Sequence, residues 1–215
     1  MLKVRQFAFN PFGENTYVVY DADTRDAIVV DPGMTSAREH AHFDDFVARE
    51  HLKINQIVNT HLHLDHCFGN NYVRDKYGVK TAAHIGDAQL GQMLGSQMQA
   101  FGVGADDQRS VDIDVPLHQG DTIAVGNSTL EVLEVPGHSQ GSIVLYSREG
   151  NFAIVGDVLF RGSIGRTDLP GGDHATLIRG IKEKLLTLPD STLILPGHDA
   201  STTIANERHH NPYLQ

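Results

Sequence analysis

The chain has 215 residues, of which 40% are apolar and 20% charged, so it can bury a core and does not have the composition of a disordered protein. Its formal net charge of -10 argues against a general nucleic-acid-binding protein, which carries a basic face. The single cysteine excludes an internal disulfide, residues 1–9 lack the apolar run of a secretory signal, and no stretch approaches the ~20 apolar residues that span a bilayer. We therefore expect a cytoplasmic protein with no membrane or nucleic-acid partner.

The first half of the chain predicts five strands and three helices. Strands are predicted at residues 2–9, 16–20, 27–30, 54–58 and 80–83, and helices at 35–50, 68–77 and 86–101. The apolar stripe of the third helix, which includes Met93 and Phe101, fits core packing, although a flexible cover over a site or a homodimer surface would use the same pattern. Residues 102–107 are predicted to form a mobile loop.

The second half of the chain is also predicted to begin with strands and to end with helices. Strands are predicted at residues 121–125, 129–135, 142–147, 152–155 and 192–195, with a long loop over 156–172 and helices at 173–188 and from about residue 201. Because strands come early in each half and helices close it, we expect an α/β fold in which two packed sheets lie between helices, a four-layer αββα sandwich. No low-complexity linker separates the halves, so residues 1–215 are predicted to form one domain made of two similar halves, with a site at their junction.

The run from Thr60 to His66, directly after the predicted strand 54–58, carries the strongest functional signal. Within it, His61, His63, Asp65 and His66 place three imidazoles and a carboxylate within a few positions. Several neighbouring histidines rarely all find partners in a core, because buried polar groups need hydrogen bonds. These nitrogen and oxygen ligands suit Zn²⁺, Fe²⁺ or Mn²⁺, so the run predicts a metal site.

Three later strand ends supply further side chains of the same type. Two Pro-Gly-His turns end in His138 and His198, each after an apolar strand, and Asp157 follows the predicted strand 152–155. In α/β sheets the carboxyl ends of the strands are where active sites assemble. We therefore expect these three side chains to meet the histidines of the 60–66 run.

The order and spacing of these residues resemble the metallo-β-lactamase superfamily over nearly the whole chain. The segment from Asp157 to Arg166 is also similar to the loop of glyoxalase II-type thioesterases, with a D-x-L-F core followed by a glycine and a basic residue, and residues 207–213 resemble short bacterial members of that branch. The resemblance implies hydrolysis of a small-molecule thioester, S-lactoylglutathione, to lactate and glutathione. Full-length glyoxalase II has an additional C-terminal helical region for glutathione contacts and a tyrosine where this chain has Asp168, so recognition of glutathione stays open.

The resemblance further implies two divalent metal ions, with zinc expected and iron or manganese as alternatives. The ligands divide into two groups that share Asp157: His61, His63 and His138 for the first metal, and Asp65, His66 and His198 for the second. Asp65 and Asp157 are the predicted catalytic carboxylates. A metal-bridging hydroxide would attack the carbonyl carbon, and a thiolate would leave with little acid assistance because its pKa is roughly 8.5.

Four further residues are interpreted from their positions. Arg161 and Arg166 are predicted to bind an anionic substrate group, because their loop leaves the predicted site. His84 is a candidate hydrogen-bond partner for a ligand. Cys67 directly follows a ligand, but we interpret it as a small buried residue rather than a nucleophile.

Several alternative functions share these features. Persulfide dioxygenases have this fold and the same motif residues but use one iron, and a hydrolase of another ester or thioester would use the same two-metal site. The charge of -10 disfavours a nuclease. A regulatory metal-binding protein without turnover would not need an open two-metal site. Iron content together with oxygen uptake distinguishes the first alternative.

Overall fold

The computed structural model describes residues 1–104 and 107–215, and the first half of the chain forms a six-stranded sheet. Its strands pair in chain order: β1 (Leu2–Phe9), β2 (Glu14–Asp21), β3 (Asp26–Val30), β4 (Lys53–Val58), β5 (Lys80–His84) and β6 (Val115–Leu117). The first three strands are antiparallel, and β3 to β6 run parallel. Parallel neighbours need crossover connections, which the helices supply. These are α1 (Ala37–Arg49), α2 (Leu64–Cys67), α3 (Asn70–Tyr77), α4 (Ala88–Gln92) and α5 (Leu94–Phe101).

The second half forms another six-stranded sheet and a small hairpin. Its strands are β7 (Thr122–Val125), β8 (Ser128–Glu134), β9 (Ile143–Ser147), β10 (Phe152–Gly156), β11 (Leu159–Phe160), β12 (Ser163–Ile164), β13 (Leu193–Pro196) and β14 (Thr202–Thr203). The hairpin is β11 with β12, and the other strands pair in the order β14-β13-β10-β9-β8-β7, with β10 and β13 parallel. Two helices complete this half: α6 (His174–Gly180), which continues into a π-helical turn over Ile181–Leu185, and α7 (Ile204–His210).

The main core lies between the two sheets. Side chains from the inner faces of β2 and β3, such as Tyr17 and Ile28, pack in one cluster with Leu130 and Leu145 from the second sheet. On the outer faces, α1 covers the first sheet and α6 with its π-helical turn covers the second. Burial of apolar surface on both faces of each sheet stabilises the layers. The prediction of a four-layer αββα sandwich is therefore confirmed.

The structure corrects several predicted elements. The predicted helix 86–101 is broken into a 3₁₀ turn (Ile85–Asp87), α4 and α5, with Met93 in a non-helical conformation between the last two. Gly91 and Gly95 weaken helix propensity in this stretch. The strands β6, β11, β12 and β14 were not predicted, because two or three residues cannot show a period. The predicted mobile loop 102–107 includes residues 105–106, which lie outside the described residues.

Among the helices of the described residues, none combines the length and the apolar character needed to cross a bilayer.

We predict that Leu145→Ala lowers the free energy of unfolding by about 2–5 kcal/mol, because Leu145 is fully buried between the sheets and its loss leaves a cavity. Chemical denaturation monitored by circular dichroism measures this change. Leu193→Ala is the control: Leu193 is 40% exposed on β13, and its truncation should change the free energy of unfolding by less than about 0.5 kcal/mol. Equal losses in the two variants would contradict this account of the core.

Candidate metal centre

The turn after β4 presents four of the seven predicted ligands. His61 and His63 lie in extended backbone before α2, and Asp65 and His66 lie on its first turn. The side chain of Asn59 fixes this turn, because its amide donates to the backbone oxygen of His66 at 2.9 Å. The turn after β4 and the first residues of α2 therefore bring four predicted ligands together within six positions.

Three histidines from the two halves form a first cluster. The Nε2 atom of His138, in the turn after β8, lies 2.8 Å from Nδ1 of His63 and 3.2 Å from Nε2 of His61. All three side chains are buried. Three imidazole nitrogens that converge in this way are a ligand set for a borderline-soft divalent cation.

A second cluster combines Asp65, His66 and His198. The Nε2 atom of His198, in the turn after β13, lies 3.2 Å from Oδ2 of Asp65, and Nε2 of His66 lies 3.8 Å from the same oxygen. These ligand atoms also converge within the reach of one ion. The structure thus places the second predicted ligand group beside the first.

Asp157 lies between the two clusters. Its Oδ1 is 3.3 Å from Nε2 of His66, and its Oδ2 is 3.6 Å from Nε2 of both His138 and His198. Space at this point is minimal, because a Cβ at Gly197 would lie 2.3 Å from Asp157 Oδ1. A carboxylate whose oxygens lie near residues of both clusters has the position that a bridging ligand requires.

The ionisation of these groups matches a cation site. Burial lowers the pKa of His61 well below its ordinary value and that of His63 to about 4, so both imidazoles are neutral and able to donate a lone pair. Burial alone would raise the pKa of Asp157, but the charge of His66 outweighs it and the pKa of Asp157 lies below its usual range. The ionised carboxylates of Asp65 and Asp157 therefore lie beside neutral imidazoles and depend on positive charge at the centre, which a bound cation would supply.

In four of the predicted ligand histidines, the Nδ1 atom lies within hydrogen-bond distance of a protein oxygen. The Nδ1 of His138 lies 2.8 Å from the backbone oxygen of Arg166, and that of His198 lies 3.2 Å from the backbone oxygen of Phe12. A carbonyl oxygen can only accept, so both rings donate from Nδ1 and keep Nε2 free for a metal. The Nδ1 of His61 is 3.1 Å from the Thr60 hydroxyl, and that of His66 faces Asp31. The Nε2 atoms of all four histidines are thereby directed into the centre.

Two buried atoms of the centre test whether a metal fits. Nε2 of His66 and Oδ1 of Asp157 have no hydrogen-bond partner in the described part of the chain, although they lie 3.3 Å apart. Buried polar atoms without partners are costly, and a shared cation would satisfy both. The donor set therefore fits a divalent metal, and the proposed ligand roles agree with this geometry.

Asp31 is a functional residue that the sequence reasoning missed. One carboxylate oxygen accepts the Thr60 backbone N–H at 2.7 Å, and the other accepts the Thr60 hydroxyl at 2.6 Å and faces Nδ1 of His66 at 3.1 Å. Asp31 thus fixes both His66 and the start of the ligand turn. The sequence did contain a pattern that points to Asp31. Asp31-Pro32-Gly33 follows β3, and the same Pro-Gly pair precedes His138 and His198.

Asp87 is a second missed residue, and it joins the two halves at the first cluster. Its carboxylate accepts the backbone N–H of Leu62 at 3.1 Å, between His61 and His63. It also accepts the Ser139 hydroxyl and the Gly141 N–H, both at 2.7 Å, just after His138. One buried carboxylate therefore ties the two turns that carry the first ligand group.

The centre opens into a cavity of about 650 Å³. Loop residues Phe12, Leu169 and Pro170 form part of its wall, and residues of α4 and α5 form another part. The apolar residues of the predicted helix 86–101 fall into two groups, one in the core and one in the cavity wall. Leu94 and Met98 are buried in a core cluster, whereas the more exposed members line the cavity: Leu90, Met93 and Phe101.

Of the two arginines that were predicted to bind substrate, one lines the cavity and the other does not. Arg166 lines the cavity, but its guanidinium forms two hydrogen bonds of 2.7 Å with Asp168. Arg161 is exposed and is not among the described residues that line the cavity. The geometry therefore gives the predicted role of Arg161 no support, because this residue lies in the turn of the β11–β12 hairpin and outside the cavity lining.

Two other interpreted residues are also placed. Cys67 is fully buried, and burial raises the pKa of its thiol well above the ordinary value, as expected of a packing residue rather than a nucleophile. His84 does not contact the predicted ligands. Its Nδ1 accepts the Gly86 N–H at 3.0 Å and its Nε2 lies 3.2 Å from Glu134, so it belongs to a separate cluster.

The fold and this site define a two-sheet protein with a buried double cluster of metal ligands at one edge. A family model described as the metallo-beta-lactamase superfamily matches residues 9–198, and the chain belongs to this superfamily. Both the resemblance seen in the motifs and the ligand set of a metallo-hydrolase agree with that membership.

Similar proteins extend over nearly the full chain. Hydroxyacylglutathione hydrolase GloC of Haemophilus influenzae is 34% identical, and the match covers 94% of this chain and 93% of that protein. The crystal structure of BLEG-1 B3 metallo-beta-lactamase superposes with a TM-score of 0.86 at 33% identity, covering 99% of this chain and 100% of the other. TTHA1623 in a di-iron-bound form has a TM-score of 0.86 at 31% identity, covering 98% and 100%.

We predict that Asp157→Ala loses most of the bound metal, because the two clusters lose the carboxylate between them. Elemental analysis of the purified protein should fall from about two ions per chain, as the ligand count implies, to less than one. Asp45→Ala, at an exposed position of α1, is the matched control and should keep full stoichiometry. Unchanged metal content in Asp157→Ala would contradict its assignment as a ligand.

We also predict that Asp31→Asn weakens metal binding by about 10–100-fold without removing a ligand. The asparagine NH₂ would face a hydrogen-bond donor on Thr60 or His66, whichever way the amide lies. Competition with a chromophoric chelator measures the affinity. Asp23→Asn, whose side chain is 76% exposed, should bind metal as the unmodified protein does; a similar loss in both variants would argue against the positioning role of Asp31.

Proposed function

We propose that this protein is a metal-dependent thioesterase of the glyoxalase II type, with S-lactoylglutathione as the first substrate to test. The observation that carries this proposal is the position of Asp157 between two convergent ligand clusters at the base of a cavity. The relative named hydroxyacylglutathione hydrolase supports the choice of thioester chemistry. The substrate is thus a small molecule.

The residues present would hold two divalent ions. His61, His63 and His138 would bind one, the group of Asp65, His66 and His198 the other, and Asp157 would contribute to both. When bound, such ions supply a water of lowered pKa and polarise a carbonyl oxygen. We propose zinc as the ion, and the di-iron form of TTHA1623 makes iron the principal alternative.

The protein's own residues keep this chemistry in place. Asp31, Thr60 and the backbone oxygens behind His138 and His198 orient the imidazoles. Asp65 and Asp157 remain ionised, since the neighbouring His66 outweighs burial and lowers the pKa of each carboxyl. Because a lowered pKa favours the ionised form, both carboxylates are available to hold the ions.

The cavity favours a leaving group that departs as a stable anion. Apart from the predicted ligands, the described residues that line it include Asp87 and Arg166 as ionisable groups. Asp87 accepts three hydrogen bonds and is buried, and Arg166 keeps its proton, so neither is suited to donate one to a leaving group. A thiolate, with a pKa of roughly 8.5, leaves without such help, whereas an amine does not.

Hydrolysis of S-lactoylglutathione should be measured with metal content determined on the same preparation. We expect turnover at about two ions per chain, loss of at least about 100-fold on chelation, and recovery on adding zinc or iron. Asp45→Ala serves as the control for handling of the protein. About one iron per chain with oxygen uptake on a persulfide, and no hydrolysis of any thioester by metal-loaded protein, would overturn the proposal in favour of oxidative chemistry.

A further inference from the structure

The wall of the cavity carries an unusual share of the exposed apolar surface. The structure describes seven large hydrophobic side chains as exposed, and three of them, Phe12, Met93 and Phe101, line this one cavity. Their exposed fractions are 39%, 45% and 47%. Grouped apolar side chains that face water mark a binding surface, because scattered exposure would place them apart.

This wall is built on anchored elements. The opposite face of α5 is fixed by Leu94 and Met98, which are about 1% exposed and pack with Leu62, next to the ligand turn. The rings of Phe12 and Phe101 meet edge to face with centroids 6.4 Å apart and join the β1–β2 turn to the end of α5. The apolar wall is therefore preformed next to the metal ligands.

The charges of the lining do not suit a charged carrier. Outside the predicted ligand histidines, Arg166 is the only basic residue that lines the cavity within residues 1–104 and 107–215, and Asp168 already neutralises it. One polar side chain of the lining already has a partner within the protein, since the Gln97 amide donates to the backbone oxygen of Leu90 at 2.8 Å. A glutathione thioester carries two carboxylates and an ammonium, which cost free energy when they are buried without partners.

We propose that the cavity selects neutral thioesters with an apolar acyl chain, which packs against Phe12, Met93 and Phe101, and that a glutathione carrier gives no advantage. The inference rests on the proposed thioesterase function and deepens it by naming the substrate class. The energy of recognition comes from apolar burial beside the metal ligands. S-Lactoylglutathione is then a substrate without a dedicated site for its peptide part.

The first test uses metal-loaded protein and two series of thioesters. The acetyl, butanoyl and hexanoyl thioesters of N-acetylcysteamine are neutral and vary the acyl chain, and the same acyl groups on glutathione vary the carrier charge. We expect kcat/KM to rise about two- to fourfold for each added methylene, the upper figure being full burial of a CH₂. Each acyl group should react at least as well on N-acetylcysteamine as on glutathione.

Variants locate the effect on the wall. Phe101→Ser and Met93→Ser should flatten the dependence on chain length, because they lower kcat/KM more for the hexanoyl than for the acetyl thioester. Leu193→Ser is the matched control, because Leu193 is exposed to 40% but lies outside the cavity lining, and it should retain the full dependence. Thermal unfolding by circular dichroism identifies any variant that fails to fold.

Equilibrium binding gives a readout that is independent of turnover. The neutral thioether S-hexyl-N-acetylcysteamine cannot be hydrolysed, and its displacement of the neutral fluorophore N-phenyl-1-naphthylamine reports binding to the wall. We expect Phe101→Ser to weaken binding of the thioether by about tenfold, as for loss of a partly buried aromatic contact, and Leu193→Ser to leave it unchanged.

The outcomes separate the two proposals. A preference for glutathione thioesters with no dependence on chain length would overturn the apolar substrate class while supporting the thioesterase function. Thioether binding that Phe101→Ser does not weaken would also overturn it. Metal-loaded protein that binds the thioether at the wall but hydrolyses no thioester would instead contradict the proposed function and leave the apolar site supported.

Discussion

The structure of the site depends on one carboxylate, Asp157, which contacts histidines of both predicted ligand groups. Asp157 is 3.3 Å from His66 on one side and 3.6 Å from His138 on the other. A low-dielectric interior does not hold an ionised carboxylate without a compensating positive charge. The surrounding turns therefore place imidazole nitrogens around it in an arrangement suited to binding a cation.

That arrangement requires both halves of the chain to be docked. Asn15 of β2 donates from its side chain to the backbone oxygens of Pro196 and Asp199 at 3.0 Å, and the Tyr17 hydroxyl donates to Pro196 at 2.7 Å. The turn that carries His198 is thus attached to the first sheet, and Asp87 attaches the turn of His138 in the same way. Assembly of the two predicted ligand groups is consequently coupled to packing of the two sheets, because each group contains residues from both halves.

Under the proposed function, the same architecture separates catalysis from recognition. The predicted ligands lie at or just after strand ends, where hydrogen bonds and the core hold them. The cavity wall comes from the α4–α5 segment and from loops at Phe12 and Leu169, whose inner sides are packed and whose outer sides are free to contact a substrate. Substitution on this wall can change the substrate without disturbing Asp157, which agrees with the many chemistries that one fold supports.

The sequence by itself determined the sandwich and predicted the ligand set. Strand periodicity followed by Pro-Gly-His turns is a local pattern, so it predicted the positions of His138 and His198, and the residue types of the 60–66 run predicted a metal site. The tertiary structure alone decided the rest. The roles of Asp31 and Asp87 depend on partners 25 to 54 residues away, the pairing of Arg166 with Asp168 depends on the loop conformation, and the division of the helix stripe depends on which face meets the core. Side-chain contacts of this range leave no period in the sequence, because they are fixed only when the sheets pack and the buried polar groups find their partners.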